Sequence, residues 1–131
     1  MAKKRNQRRP LSGLQLEIME IVWDRGEVTV GEVLEILAAR RPIARNTVQT
    51  TLVRLEAKGR LRHRQVANAF RYSAVVERQE TLGEIAGKLL DTVFGGSVES
   101  LVMALVHERG ISQQEAQSIR RMIDVSERKR G

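Results

Sequence analysis

Residues 46–61 read NTVQTTLVRLEAKGRL. The apolar residues recur at helical spacing. At 100° per residue, with Asn46 at zero, Val48, Leu52 and Leu55 fall at about 200°, 240° and 180°. Asn46, Thr50, Val53, Arg54 and Ala57 fall on the opposite side, between about −20° and 80°, with Thr47 and Gln49 on its flanks. Threonine is a mediocre helix former, and an ordinary solvated face would carry Glu, Lys and Gln instead. A face of short polar groups, small apolar groups and one long base is suited to close approach to another surface. The spacing predicts a helix from about Ala44 to Lys58, with Gly59 as the terminating residue.

Two helices are expected before it. Ser12 with Gln15 has the form of a capping box. Leu14, Ile18, Ile21 and Val22 follow at helical spacing, Trp23 joins the end of the stripe, and Gly26 can stop it. Thr29 with Glu32 repeats the capping pattern ahead of Val30, Val33, Leu34 and Leu37. That helix should fade by Arg41, because Pro42 disfavours helical geometry in the residue before it. After the central stretch comes LRHRQVANAFRYSAVV, residues 61–76. Leu61, His63 and Gln65 alternate with Arg62, Arg64 and Val66, and Phe70 and Tyr72 alternate with Arg71 and Ser73. This is the period of a β-hairpin, with Asn68 able to supply the turn geometry.

Three short helices and a basic hairpin form the order of a winged helix, whose third helix places its outward face in the major groove of DNA. That groove is about 12 Å wide and admits a helix only if the facing side chains are compact. Asn46, Thr47 and Thr50 can hydrogen-bond base edges or phosphates, Gln49 can read adenine, and Arg54 can reach guanine or phosphate. Arg62 and Arg64 share one face of the hairpin and suit phosphate or minor-groove contact. Taken singly, Thr47 and Thr50 read as tolerated surface threonines; with the basic hairpin, groove binding is the better account. Pairing of Arg54 with Glu56 is disfavoured, since the two lie about 200° apart on the helix. Trp23, Phe70 and Tyr72 are assigned to the core rather than to base stacking.

Charge placement agrees. The chain has 131 residues, 41% hydrophobic and 30% charged, with a net charge of +7. Residues 1–10 hold five bases and no acid; residues 11–39 hold one base against six acids; residues 40–71 hold nine bases against Glu56 alone. A basic block inside a foldable segment suggests a polyanion partner. The tail at 1–10 is expected to be disordered and at most to add non-specific phosphate attraction. The chain contains no cysteine and two histidines, which excludes disulfides and thiolate metal sites and argues against a histidine-built one. No cofactor and no metal is expected. Nor is catalysis, since no nucleophile, base and orienting group cluster. No apolar run approaches the roughly 18 residues of a membrane span, and no signal-type apolar stretch follows the basic N-terminus, so a cytoplasmic protein without a membrane partner is expected.

From about Glu77 the pattern returns to helices. Leu82, Ile85, Ala86, Leu89, Leu90 and Val93 stripe one, broken by Gly95-Gly96. Val98, Leu101, Val102, Leu105 and Val106 stripe a second, stopped near Gly110. Ser112 with Glu115 caps a third, carrying Ala116, Ile119, Met122 and Ile123, and its end, SERKRG, is expected to fray. Three short helices cannot easily bury stripes this broad. A second copy would cover them, and two-fold symmetry suits DNA half-sites, so Leu89, Val93, Leu101, Val102, Leu105, Ile119, Met122 and Ile123 are assigned to a homodimer. The alternative is that these helices pack back on the N-terminal domain. The fold class is therefore mainly α with a small β-hairpin: a basic tail at 1–10, a winged helix-turn-helix domain at 11–76, and a helical dimerisation domain at 77–131.

The chain resembles the penicillinase/methicillin-resistance repressor family, the BlaI/MecI/CopY type. The residues that carry the resemblance are LSGLQLEIMEIVW at 11–23, ARNTVQTTLVRLEAKG at 44–59, AFRYSAVV at 69–76 and GGSVESLVMALVHERGIS at 95–112. The resemblance implies a dimeric winged-helix repressor on a pseudo-palindromic operator, read through Asn46, Thr47, Gln49, Thr50 and Arg54. Asn46 and Gln49 stand where some relatives carry basic residues. In β-lactam-responsive members a membrane sensor-protease signal leads to cleavage at an Asn-Phe bond early in the dimerisation domain. The corresponding pair here is Ala104-Leu105, and a regulatory protease is the partner so implied. The copper-responsive branch uses a C-terminal cysteine cluster, which this chain lacks. Two rival readings are a protein-binding winged helix and a non-specific architectural DNA-binding protein. Steep salt dependence separates the first from DNA binding.

Overall fold

Reciprocal capping boxes set the first two helices of the computed structural model, which describes residues 11–130; the basic segment 1–10 lies outside them. Helix α1, Gly13–Arg25, opens with Gln15 N–H donating to Ser12 Oγ (3.2 Å) and Ser12 N–H donating to Gln15 Oε1 (3.1 Å). It stops at Gly26, whose φ of 87° favours glycine and whose N–H donates to Val22 O at 2.7 Å. Helix α2, Val30–Ala38, begins the same way: Thr29 N–H donates to Glu32 Oε1 and Glu32 N–H to Thr29 Oγ1. It ends three residues short of Arg41, upstream of Pro42. Helix α3, Arg45–Ala57, has no side-chain cap at Ala44 and turns out at Gly59.

Between α1 and α2 lies a two-residue strand that the alternation of apolar residues did not reveal, β1, Glu27–Val28. It pairs with β3, Ala69–Ala74, which pairs in turn with β2, Leu61–Val66, all antiparallel in the order β1-β3-β2. The hairpin is thus two strands of a three-stranded sheet. Its register places Leu61 opposite Ala74, His63 opposite Tyr72, Arg64 opposite Arg71 and Val66 opposite Ala69, leaving a two-residue loop. The left-handed backbone needed there falls on Ala67 (φ 56°), not on Asn68. With the register fixed on both sides of so short a loop, its first residue must make the reversal.

Ile18, Met19, Ile21 and Val22 of α1, Val28 of β1, Val33 and Leu37 of α2, Val48, Leu52 and Leu55 of α3, and Leu61 and Tyr72 of the sheet form one buried core. Trp23 packs at its edge and donates its indole N–H to Val76 O at 2.9 Å. Phe70, expected in the core, is 44% exposed. It stands opposite Gln65, out along the wing beyond the reach of the helices, and stacks on His63 with ring centroids 4.2 Å apart.

The chain divides into two compact units, the first extending through Ala86 and the second beginning at Gly87. The sequence changes character at 76–77, but the start of helix α4, Arg78–Val93, stays with the first unit. Arg78 pairs with Glu20 at 3.0 Å, Thr81 is buried, and Glu84 receives Arg60 Nη1 at 2.9 Å. The second unit holds the end of α4, helix α5 (Val98–Glu108) and helix α6 (Gln113–Arg130). Ser97 Oγ accepts from Ser100 N–H and Ser112 Oγ from Glu115 N–H. Helix α6 continues to Arg130, so residues 126–130 of the end expected to fray are helical, while Gly131 lies outside the described residues. No residue of α5 is buried, and none of α6 among those described. No single helix among the described residues is long and apolar enough to cross a membrane.

A candidate nucleic-acid interface on α3 and the wing

Helix α3 separates its two sides sharply. Val48, Leu52 and Leu55 are wholly buried. Thr51 is buried beside them and donates its hydroxyl to Thr47 O at 2.7 Å, the back-bond by which a helical threonine satisfies itself without solvent. Asn46, Thr47, Gln49 and Arg54 are exposed and Thr50 is half-buried, so all five candidates on this helix lie on its open side. Val53, 52% exposed between them, and exposed Ala57 complete a shallow face. Such apolar groups can touch a thymine methyl.

The basic block of residues 40–71 sorts into two kinds. Arg40 pairs with Glu17 at 2.7 Å, and Arg41 pairs with the other oxygen of the same carboxylate. Arg60, part of the basic run in the sequence, is buried against Glu84 and Thr81 and faces no solvent. Lys58 Nζ donates to Gln15 Oε1 at 2.6 Å. Arg64 is bound to Glu27 through two hydrogen bonds, Nε to Oε2 at 2.7 Å and Nη2 to Oε1 at 3.0 Å. The hydrogen bond from Arg64 is the main cause holding the Glu27 carboxyl below the usual carboxylate range, and the same bond raises Arg64. Arg45, Arg54, Arg62 and Arg71 have no carboxylate within ion-pair distance among the described residues. Arg54 lies on the face of α3, Arg45 at its first turn, and Arg62 and Arg71 on one face of the wing. Arg45 and Arg71 were not singled out from sequence, although both sit in the basic block. What marks them is that no carboxylate among the described residues pairs with them, which only the fold reveals, although Arg71 stands close enough to Glu27 to help lower its carboxyl.

Glu56, the one acid of the block, points away from this surface. It meets His63 Nδ1 at 2.7 Å, joining the end of α3 to the wing. It also helps burial to raise the Tyr72 hydroxyl above its ordinary range, burial being the larger cause. The uncapped start of α3 leaves its first N–H groups without a side-chain acceptor, which suits a phosphate.

Leu89, Val93, Val102, Leu105, Met122 and Ile123 are exposed, and Leu101 and Ile119 half-buried. Ile85, Val98, Met103, Val106 and Val125 extend this exposed apolar set. Ala104 and Leu105 are exposed in the middle of α5. Among the described residues no three of His, Cys, Asp and Glu are grouped as a metal would require.

A family model described as penicillinase repressor matches residues 11–125. The methicillin resistance regulatory protein MecI of Mammaliicoccus sciuri is 24% identical over 114 residues, which cover 87% of this chain and 93% of that protein. The penicillinase repressor of Bacillus licheniformis is 23% identical over 114 residues, covering 87% and 89%. Among solved structures, the DNA binding domain of the repressor BlaI superposes with a TM-score of 0.50 at 29% identity, covering 60% of this chain and 93% of that one. With a winged helix at its front and the family's pattern running through both units, the chain belongs to the penicillinase repressor family.

Proposed function

We propose that this chain is a sequence-specific DNA-binding repressor that acts as a homodimer on a pseudo-palindromic operator in the cytoplasm. The observation that carries the reading is the open side of α3, where Asn46, Thr47, Gln49, Thr50, Val53 and Arg54 form a compact face beside arginines without carboxylate partners. The likeness to a methicillin resistance regulatory protein, to a penicillinase repressor and to the DNA binding domain of the repressor BlaI supports it. Phosphate neutralisation by Arg45, Arg62 and Arg71 supplies sequence-independent affinity, and α3 supplies base choice. The apolar residues left open on α4, α5 and α6 support a dimer, which spans two half-sites as the two-fold symmetry of helix-turn-helix proteins requires.

The test is a titration of selected and randomised duplexes at several salt concentrations. Gln49→Ala or Arg54→Ala costs roughly 1–3 kcal/mol on the selected duplex if the residue reads a base. Equal loss on every sequence assigns that residue to phosphate, and a wild-type affinity indifferent to sequence makes the chain an architectural protein instead. Binding that ignores salt contradicts the DNA reading altogether.

Relief of repression follows from loss of the dimer, by a regulatory protease in a response of the β-lactam or cell-wall-stress type. The candidate bond, Ala104–Leu105, lies inside α5, so it is cut only when that helix unwinds locally. An intact chain in induced cells whose repression has lifted argues against this route.

A further inference from the structure

The sheet carries an arrangement that DNA binding alone does not call for. Arg64 and Arg71 stand directly opposite each other on β2 and β3, and Arg62 stands opposite Ser73 on the same face. Like charges placed so repel. Glu27, opposite Ser73 from the other side, shares that face and reaches Arg64 with both carboxylate oxygens. Its place is firm, because Val28 beside it is wholly buried and β1 pairs with β3 through its backbone. The pair itself is open to solvent, with the Arg64 side chain 66% and the Glu27 side chain 30% exposed. Such a pair is cheap to break. It also occupies the Nε–Nη2 edge of the guanidinium, a fork that fits a phosphate as well as a carboxylate.

We propose that Glu27 is a specificity-determining residue: its carboxylate takes the place of a DNA phosphate on Arg64 and holds the wing back from non-specific attachment. The inference rests on the DNA-binding reading above. On random sequence phosphates pass within reach of Arg64, but no base contact holds the wing in place, so none outcompetes Glu27 and the internal pair persists. On the operator the base contacts of α3 seat the wing, and a phosphate displaces Glu27. The device lowers attachment everywhere else by about one charge while costing the operator complex little.

The test uses the full chain, a duplex selected from a random pool for tight binding, and an unselected duplex, each titrated across salt. Glu27→Gln tightens binding to the unselected duplex several-fold and steepens its salt slope by roughly 0.9, the value for one further phosphate contact. It changes the selected duplex less, so the ratio between the two falls. Glu27→Ala gives the same result if the effect is release of Arg64. Thermal melts confirm that both variants fold. In an Arg64→Ala background Glu27→Gln gives no such gain. An unchanged slope in Glu27→Gln while the wild type binds, or a gain that survives in Arg64→Ala, overturns the proposal and leaves the DNA reading standing. A wild type that binds no duplex removes both.

Discussion

In the first unit, side chains from three helices and three strands close over one another: Ile18, Val22, Val33, Leu37, Leu52 and Leu55 are wholly buried, and the open side of α3 is left polar. In the second, α5 buries nothing, and Val93, Val98, Met103, Met122 and Ile123 are more than half exposed. The contrast separates two uses of an amphipathic helix. In the first unit the apolar stripe is consumed internally, and the opposite face is free to carry chemistry. In the second the apolar stripe is itself the available surface.

The strongest way to break this contrast is to place charge in the second unit. If the proposed dimer forms through this stripe, Val102→Glu with Leu105→Glu leaves the melting of the first unit in place, converts the dimer to monomer in sedimentation, and weakens operator binding by on the order of 100-fold as the second half-site is lost. A variant whose oligomeric state is unchanged would show that the exposed stripe serves something else, and a monomeric one with undiminished operator affinity that a single half-site suffices. A core truncation acts on the other side. Leu52→Ala removes a wholly buried side chain and costs the first unit about 2–5 kcal/mol in denaturant unfolding, with the oligomeric state unchanged. The smallest effect is local. Ala67 holds a left-handed backbone, so Ala67→Gly stabilises the first unit by roughly 0.5–1 kcal/mol; no gain would mean that the loop already relaxes at little cost.

What could be read from the sequence was whatever is written within a few residues. The capping boxes at Ser12 and Thr29, the stop at Gly59, and the buried stripe of Val48, Leu52 and Leu55 depend on short spacings, and each is found in the structure. Strand β1 was not legible, because two residues have no period and their partners, Ser73 and Tyr72, are remote in the chain. Arg60 and Arg64 read as two more members of a basic run. Burial against Glu84 removes the first from the surface and Glu27 engages the second, and neither acid is near in sequence. Phe70 follows the alternation of a core strand but stands too far along the wing for a core to reach it. Helix α6 keeps its last turns although SERKR carries no apolar residue to signal them.

The central claim is that the open side of α3 lies in the major groove, and chemical interference at guanine N7 tests it most directly. That atom is displayed only in the major groove. A selected duplex is sparsely methylated there, bound by the full chain, and separated into bound and free fractions. The account predicts that methylation at a few guanines, one cluster in each half-site about one helical turn apart, excludes the duplex from the bound fraction. Methylated guanines distributed equally between bound and free DNA at every position would contradict it.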